Sequence, residues 1–216
     1  MFLSIIELKS KNRRAMIHPD TDLRFINHNK GRGVFATKPI PKGTLTYVSD
    51  LLEIEILPDD PRLKDPKYKE IIETYSFIDR SGTRIISWDN AKYVNHCCQC
   101  NTISTGYGFE IAIRDIAAGE EITDEYGMFN FKYDMEIECE KIPCRNLVSG
   151  DDLKNYHDEW DQKVIEALKH YNSVNQPLAP FLDDEVRKSL EQFLETGKGY
   201  QSVKELIYDR GEKVSR

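Results

Sequence analysis

An α+β, strand-rich fold with a helical appendage is predicted for this 216-residue chain by three observations. Apolar and polar residues alternate in short runs through about Asn146, and glycine- and proline-centred turns punctuate those runs. After Gly150 the apolar spacing changes to three and four, the period of a helix.

Taken in order, Met1-Phe-Leu-Ser-Ile-Ile has no basic residue ahead of its apolar part and is broken by Glu7. A first strand is expected there rather than a secretory leader. Strands follow at Leu23-Arg-Phe-Ile and Thr44-Leu-Thr-Tyr-Val, with Pro41-Lys42-Gly43 as the turn between them. From Asp65 to Phe77 the recurrence of Tyr68, Ile71, Ile72 and Tyr75 predicts a short amphipathic helix. Asp79 to Gly82 reads as a turn before a strand at Arg84 to Trp88. Phe109, Ile111 and Ile113 alternate with Glu110, Ala112 and Arg114, as in a half-exposed strand. Asp151-Asp152 cap a helix whose stripe is Leu153, Tyr156, Trp160, Val164, Leu168 and Tyr171, ended by Pro177 and Pro180. Asp183-Asp184 open a second helix, with Val186, Leu190, Phe193 and Leu194 on one face and Gly197 as its stop. A third, short helix is expected from Ser202 to Tyr208. The stripe must be covered, so the appendage is expected to pack on the same domain. Capping the core is its first reading; substrate capture and dimerisation are the others.

Composition narrows the function. Hydrophobic residues are 39% and charged residues 31% of the chain, and no apolar run is long enough to span a bilayer, so no membrane partner is expected. Five cysteines, an odd number, with three crowded into Cys97 to Cys100, argue against a disulfide scaffold and for a reducing compartment, cytoplasmic or nuclear. The net charge of −7 is concentrated: from Asp115 to Glu140 nine acids face one base, Lys132, which leaves the remainder near +1. Nucleic acid is therefore not an expected direct partner. The acidic window reads either as a solvated surface or as a field that draws in a Lys/Arg-rich peptide.

Three separated strings carry the chemistry: Lys30-Gly31-Arg32-Gly33, Asn95-His96, and Asp124-Glu125-Tyr126-Gly127. Glycines at 31 and 33 permit a tight turn and close backbone approach to a ligand. Asn95-His96 follows Ala91-Lys92-Tyr93-Val94, and Tyr126 closes Gly119-Glu-Glu-Ile-Thr-Asp-Glu-Tyr-Gly. This order of motifs resembles the SET domain of protein-lysine methyltransferases, across roughly Leu23 to Arg145, and the short form is similar to compact bacterial-type members.

The resemblance implies a β-clip-like SET fold with a pseudoknot, in which the Asn95-His96 segment threads under Asp124 to Gly127. It implies a SET domain over residues 1–127, with its core at 23–127, a post-SET-like segment at 128–146 and a C-terminal helical region at 147–216. It also implies S-adenosyl-L-methionine as cofactor, bound by Lys30, Gly31, Arg32, Gly33, Asn95, His96 and Tyr126, with Tyr126 catalytic. The substrate would be a lysine in a basic tail such as that of a histone or ribosomal protein. Tyr47 aligns with a tyrosine that lines the substrate channel in some members, and a simple strand aromatic is the other reading. Ser104 falls near a further channel position, and the number of methyl groups transferred is not legible.

Many SET proteins bind zinc through a cysteine after Asn-His and a trailing Cys-x-Cys-x4-Cys. Cys98, Cys139 and Cys144 match three of these positions, while Ile137 stands where another thiolate is expected. Cys100, or alternatively Cys97, is the candidate fourth ligand of a tetrahedral site. Free, partly buried thiols are the other reading. Two competing functions remain open: an inactive SET-like module that binds basic peptides, and a structural zinc-binding adaptor. Oligomeric state is open as well.

Overall fold

The computed structural model describes residues 16–137, 139 and 141–208. The first strand expected near the start lies outside the described residues. Strands β1 (Thr21–Asn27) and β2 (Gly31–Ala36) form a hairpin whose turn is closed by Asn27 Oδ1, which accepts from the amides of Asn29 (2.9 Å) and Lys30 (2.8 Å). Gly31 enters β2 at φ +70°, a left-handed conformation that glycine adopts without steric cost. Of the glycine string, Lys30 thus closes the turn, and Gly31, Arg32 and Gly33 already belong to the strand.

Strands β3 (Leu45–Val48), β4 (Ile54–Ile56), β5 (Phe77–Ile78), β6 (Arg84–Ile86), β7 (Asn95–His96), β8 (Thr102–Ser104), β9 (Phe109–Ala112) and β10 (Glu121–Asp124) are short. They assemble as sheets ordered β1-β2-β10-β7, β3-β9-β8 and β4-β6-β5, with β11 (Met135–Glu136) and β12 (Leu147–Val148) as a separate pair. All pairings are antiparallel except β10 with β7, which lays Asn95 beside Thr123 and His96 beside Asp124. Asn101 fastens this crossing: its amide N–H donates to the Thr123 carbonyl, and its side-chain oxygen accepts from the Thr123 amide at 2.8 Å.

Helix α1 (Pro66–Tyr75) is capped by Asp65, which accepts from the Lys67 amide. Its apolar stripe is only partly covered: Ile72 is buried, whereas Tyr68 and Ile71 are exposed. Helix α2 (Asp152–Leu168) buries Leu153, Trp160, Val164 and Leu168 in one core with Leu45, Ile103 and Phe109. That second layer explains why β3 is buried on both faces rather than alternating. Helix α3 (Asp184–Thr196) adds Leu190 and ends at Gly197 with φ +69°. Tyr171 lies beyond α2 in a single 3₁₀ turn, and the third helix is likewise a 3₁₀ turn, Val203–Leu206. The Asp161 carboxylate of α2 anchors this last segment, accepting from Tyr200 Oη (2.7 Å), Ser202 Oγ (2.5 Å) and the Val203 amide (2.8 Å). A second tie is Asn130, whose Nδ2 donates to the carbonyls of Ile78 and Leu206.

Candidate active site

The three strings meet. Asn95 Nδ2 donates to the Arg32 carbonyl at 3.0 Å and to Glu121 Oε1 at 2.8 Å, joining β2, β7 and β10 at one point. Gly33 must lack a side chain for this: a Cβ there would stand 2.6 Å from Glu121 Oε1 and 3.1 Å from Asn95 Nδ2. On the next residue, His96 Nδ1 accepts from the Tyr126 amide at 3.1 Å. The Tyr126 hydroxyl donates to the Val94 carbonyl at 2.7 Å. Gly31 is different: nothing lies within 4 Å of where its Cβ would be. The positive-φ backbone at Gly31, beside this junction, is therefore open to close approach.

Tyr126 stands in an aromatic cluster, with ring centroids 5.1 Å from Phe129, 5.5 Å from His96 and 6.2 Å from Phe131. Its phenol lines an inner cavity of about 100 Å³ with Val94, Asp124 and Lys92. An outer cavity of about 540 Å³ lies under β5, the 104–110 hairpin and the C-terminal segment. Tyr47, Phe77, Glu110 and Phe129 line both. The two spaces therefore abut at one glutamate and three aromatic rings. Ser104 faces the outer cavity, whereas Lys30 to Gly33, Asn95 and His96 line neither of the two.

Burial controls the charge states. His96 is pushed down to about 4 by desolvation, with the Arg145 guanidinium adding to the effect, so its ring is neutral and Nδ1 is free to accept. Its 3.8 Å approach to Glu125 Oε1 is accordingly no ion pair. Glu125 instead meets Arg145 Nη2 at 2.5 Å, and Arg145 Nη1 lies 3.4 Å from Asp152 at the start of α2. Burial, reinforced by Asp124, Glu110 and Glu121, raises the Tyr126 phenol and keeps it protonated. Tyr47 is also raised by burial and bonds through its hydroxyl to Glu53, while Ser87 donates to that hydroxyl at 3.3 Å. Glu53 is pushed up to about 7, mainly by burial. Among the described residues the outer cavity is strongly acidic: Asp50, Glu53, Glu55, Asp79, Glu110, Glu185 and Glu205 face it against one base, Arg80.

The cysteines divide. The thiols of Cys98, Cys139 and Cys144 lie within 4.8 Å of one another, and Cys98 Sγ is 3.6 Å from Cys144 Sγ. Cys97 Sγ is 3.4 Å from Cys139 Sγ. Tetrahedral zinc with Zn–S bonds near 2.3 Å places sulfurs about 3.8 Å apart, so this donor set fits that ion. Cys100 does not join the cluster. It is buried, and desolvation together with the charges of Asp124 and Glu125 holds its thiol well above the ordinary value, an unfavourable setting for a thiolate. The Arg145 amide donates to Cys98 Sγ at 3.3 Å, so the same residue ties the thiol cluster to Glu125 and α2.

Sequence reasoning gave Glu110 no role and named Asp124 only as part of the Tyr126 string. Alternation put Glu110 on an exposed face, but on β9 it pairs across with Tyr47 and with Ser104, and it points to the place where the cavities abut. The available signal for Asp124 was an acid two residues before Tyr126, at the end of the strand Glu121–Asp124. Phe129 and Phe77 were missed for a plainer reason, because single aromatics carry no positional mark.

Residues 31–127 match the family model of the SET domain. Among curated proteins, the chain is 27% identical over 124 residues to histone-lysine N-methyltransferase trr of Drosophila melanogaster, which covers 53% of this chain and 5% of that protein. It is 30% identical over 135 residues to the variant-silencing SET domain-containing protein of Plasmodium falciparum, covering 54% and 5%. A crystal structure of a Plasmodium falciparum protein described as a candidate histone methyltransferase aligns with TM-score 0.37 and 15% identity, over 51% of this chain and 95% of that one. The chain thus spans about one-twentieth of the length of these curated relatives. Residues 31–127 are the part of the chain that is similar to the SET-domain family.

Proposed function

We propose that this protein is an S-adenosyl-L-methionine-dependent protein-lysine N-methyltransferase acting on a basic protein tail. One observation carries the reading: an acidic outer cavity abuts a small inner one at Tyr47, Phe77, Glu110 and Phe129, beside the Tyr126 phenol. A basic segment is attracted to the outer cavity by its excess of carboxylates. A single lysine stem then fits between aromatic rings, which exclude water and favour its cationic head. Lysine titrates near 10.4 and cannot act as a nucleophile while protonated, so a dry passage that favours the neutral amine is a chemical requirement. The bound cofactor supplies an electrophilic methyl group. The protein's own contribution is alignment. Tyr126 is held at both ends, by His96 at its amide and Val94 at its hydroxyl, so the phenol oxygen marks a fixed point at the inner end of the passage.

Gly31, with Lys30 and Arg32 on either side and Gly33 following, would hold the cofactor along its backbone, with Asn95, His96 and Tyr126 across from it. Cys98, Cys139 and Cys144, with Cys97 nearest as a fourth, would hold zinc, and their role would be structural. The test is transfer of radiolabel from S-adenosylmethionine to purified core histones and ribosomal proteins, alongside Tyr126→Phe. The expected outcome is labelling by the wild type and a loss of about 10²-fold in the variant, the scale of a small misplacement of reacting groups. Absence of labelling, with no calorimetric cofactor binding, refutes the enzyme. Peptide binding without labelling supports the inactive module instead.

A further inference from the structure

We propose that Glu110 is a catalytic residue that receives the substrate's ammonium group and accepts its proton, an inference that rests on the methyltransferase reading above. Glu110 is the one acid that lines both cavities, and it stands where they abut among Tyr47, Phe77 and Phe129. Its neighbour Asp124 is 1% exposed and lines the inner cavity; Oδ1 accepts from the Glu125 amide at 2.7 Å, while Oδ2 is buried with no hydrogen-bond partner.

A buried and a half-buried carboxyl side by side are costly unless a cation or a proton compensates them. Among the described residues, neither forms an ion pair with a base. Lys92, the base lining the inner cavity, bonds the carbonyls of Ser87, Trp88 and Asp89 instead. The other titratable groups acting on Glu110 are acids or phenols: Asp124 on β10 and Asp89 raise it, and Tyr47 and Tyr126 lie within its field. Burial is the largest cause, and it holds Glu110 well above the carboxylate range. Asp124 is raised to about 7, mainly by burial, and is the more acidic of the two, so the pair comes to carry one negative charge as pH rises through 7. A monoanion at the end of an aromatic passage is the complement of an alkylammonium.

The step is a proton transfer. An N–H bond of the ammonium breaks with its electron pair left on nitrogen, and an O–H bond forms on the singly ionised Glu110–Asp124 carboxyl pair, which Glu110 presents to the passage. The neutral amine then has the lone pair that methylation requires, and the proton leaves to solvent through the outer cavity once product departs.

A cationic sulfonium is the other charge that such a carboxylate could serve, and the experiment separates the two. Wild type, Glu110→Gln and Glu110→Asp are compared in single-turnover methyl transfer to core histones across the pH range. Calorimetric affinities for S-adenosylmethionine and for its neutral thioether product are measured on the same samples. The expected result is a loss of about 10²-fold in Glu110→Gln at neutral pH, the lower end for a positioned general base. That loss shrinks as alkaline pH deprotonates the amine directly. Glu110→Asp retains the wild-type pH profile, and both affinities stay unchanged. An unaltered rate, or a loss uniform across pH, overturns the proposal. So does weakened binding of the sulfonium form alone. A wild type that binds cofactor but labels nothing sinks the methyltransferase reading first and this inference with it.

Discussion

Tyr126, His96 and Glu53 show how burial rather than residue type sets behaviour at the site. His96, depressed to about 4 from an ordinary 6.5, is neutral when folded, so its contribution to stability is present above pH 6.5 and lost as pH falls towards 4. Glu53 has the opposite sign. Raised from 4.5 to about 7, it contributes stability that is present below pH 4.5 and lost as pH rises through 7. The two partly offset each other between those limits. Glu53→Gln, which can still accept from the Tyr47 hydroxyl, should therefore gain in melting temperature over wild type as pH rises from 4.5 to 7. Thermal denaturation at both ends of that window checks it; a constant difference contradicts the assigned titration. Of these residues, Tyr126 and His96 were legible because each sits in a recognisable string. Glu53 was not, because a lone glutamate between Leu52 and Ile54 gives no hint that it will bond the Tyr47 hydroxyl.

Among the elements, the strands of the motif region followed from alternation and turn chemistry, and α2 and α3 from stripes of apolar residues with acidic caps. Where the reading slipped, a second contact layer was responsible. β3 is buried along its whole length, with Leu45 and Val48 in the core it shares with α2, and Glu110 on β9 faces a cavity rather than solvent. Pairing between distant segments, such as β7 with β10, is tertiary information that local pattern does not contain. The segment after Tyr126 holds its place through Arg145 and the thiol cluster, and the grouping of cysteines yields a sharp expectation. Cys98→Ser should lose zinc on metal analysis of the purified protein, whereas Cys100→Ser should retain it, since its thiol is buried beside Asp124 and Glu125. Equal metal content in both variants would remove the thiol cluster from consideration as a metal site.

At the scale of the whole molecule, the C-terminal region does more than cover the core. Glu185, Val186, Gln201, Glu205 and Leu206 form part of the outer cavity wall, so the appendage contributes acidic groups where a basic tail would lie. Its docking is close: a Cβ on Gly106 would stand 2.4 Å from the carbonyl oxygens of Gln201 and Ser202. The sequence-level charge count located acids at 115–140, but the acidic cavity draws on residues from 50 to 205, a gathering that only the fold accomplishes. All of this converges on a passage between two cavities. The most direct measurement is a crystal structure of the protein with S-adenosylhomocysteine and a lysine-bearing basic peptide. The account predicts a lysine side chain entering from the acidic cavity between Tyr47, Phe77 and Phe129, its nitrogen beside Glu110 and the Tyr126 hydroxyl, with the cofactor on the far side along Gly31. A peptide bound elsewhere, or a lysine left in solvent with those rings closed over the passage, would contradict it.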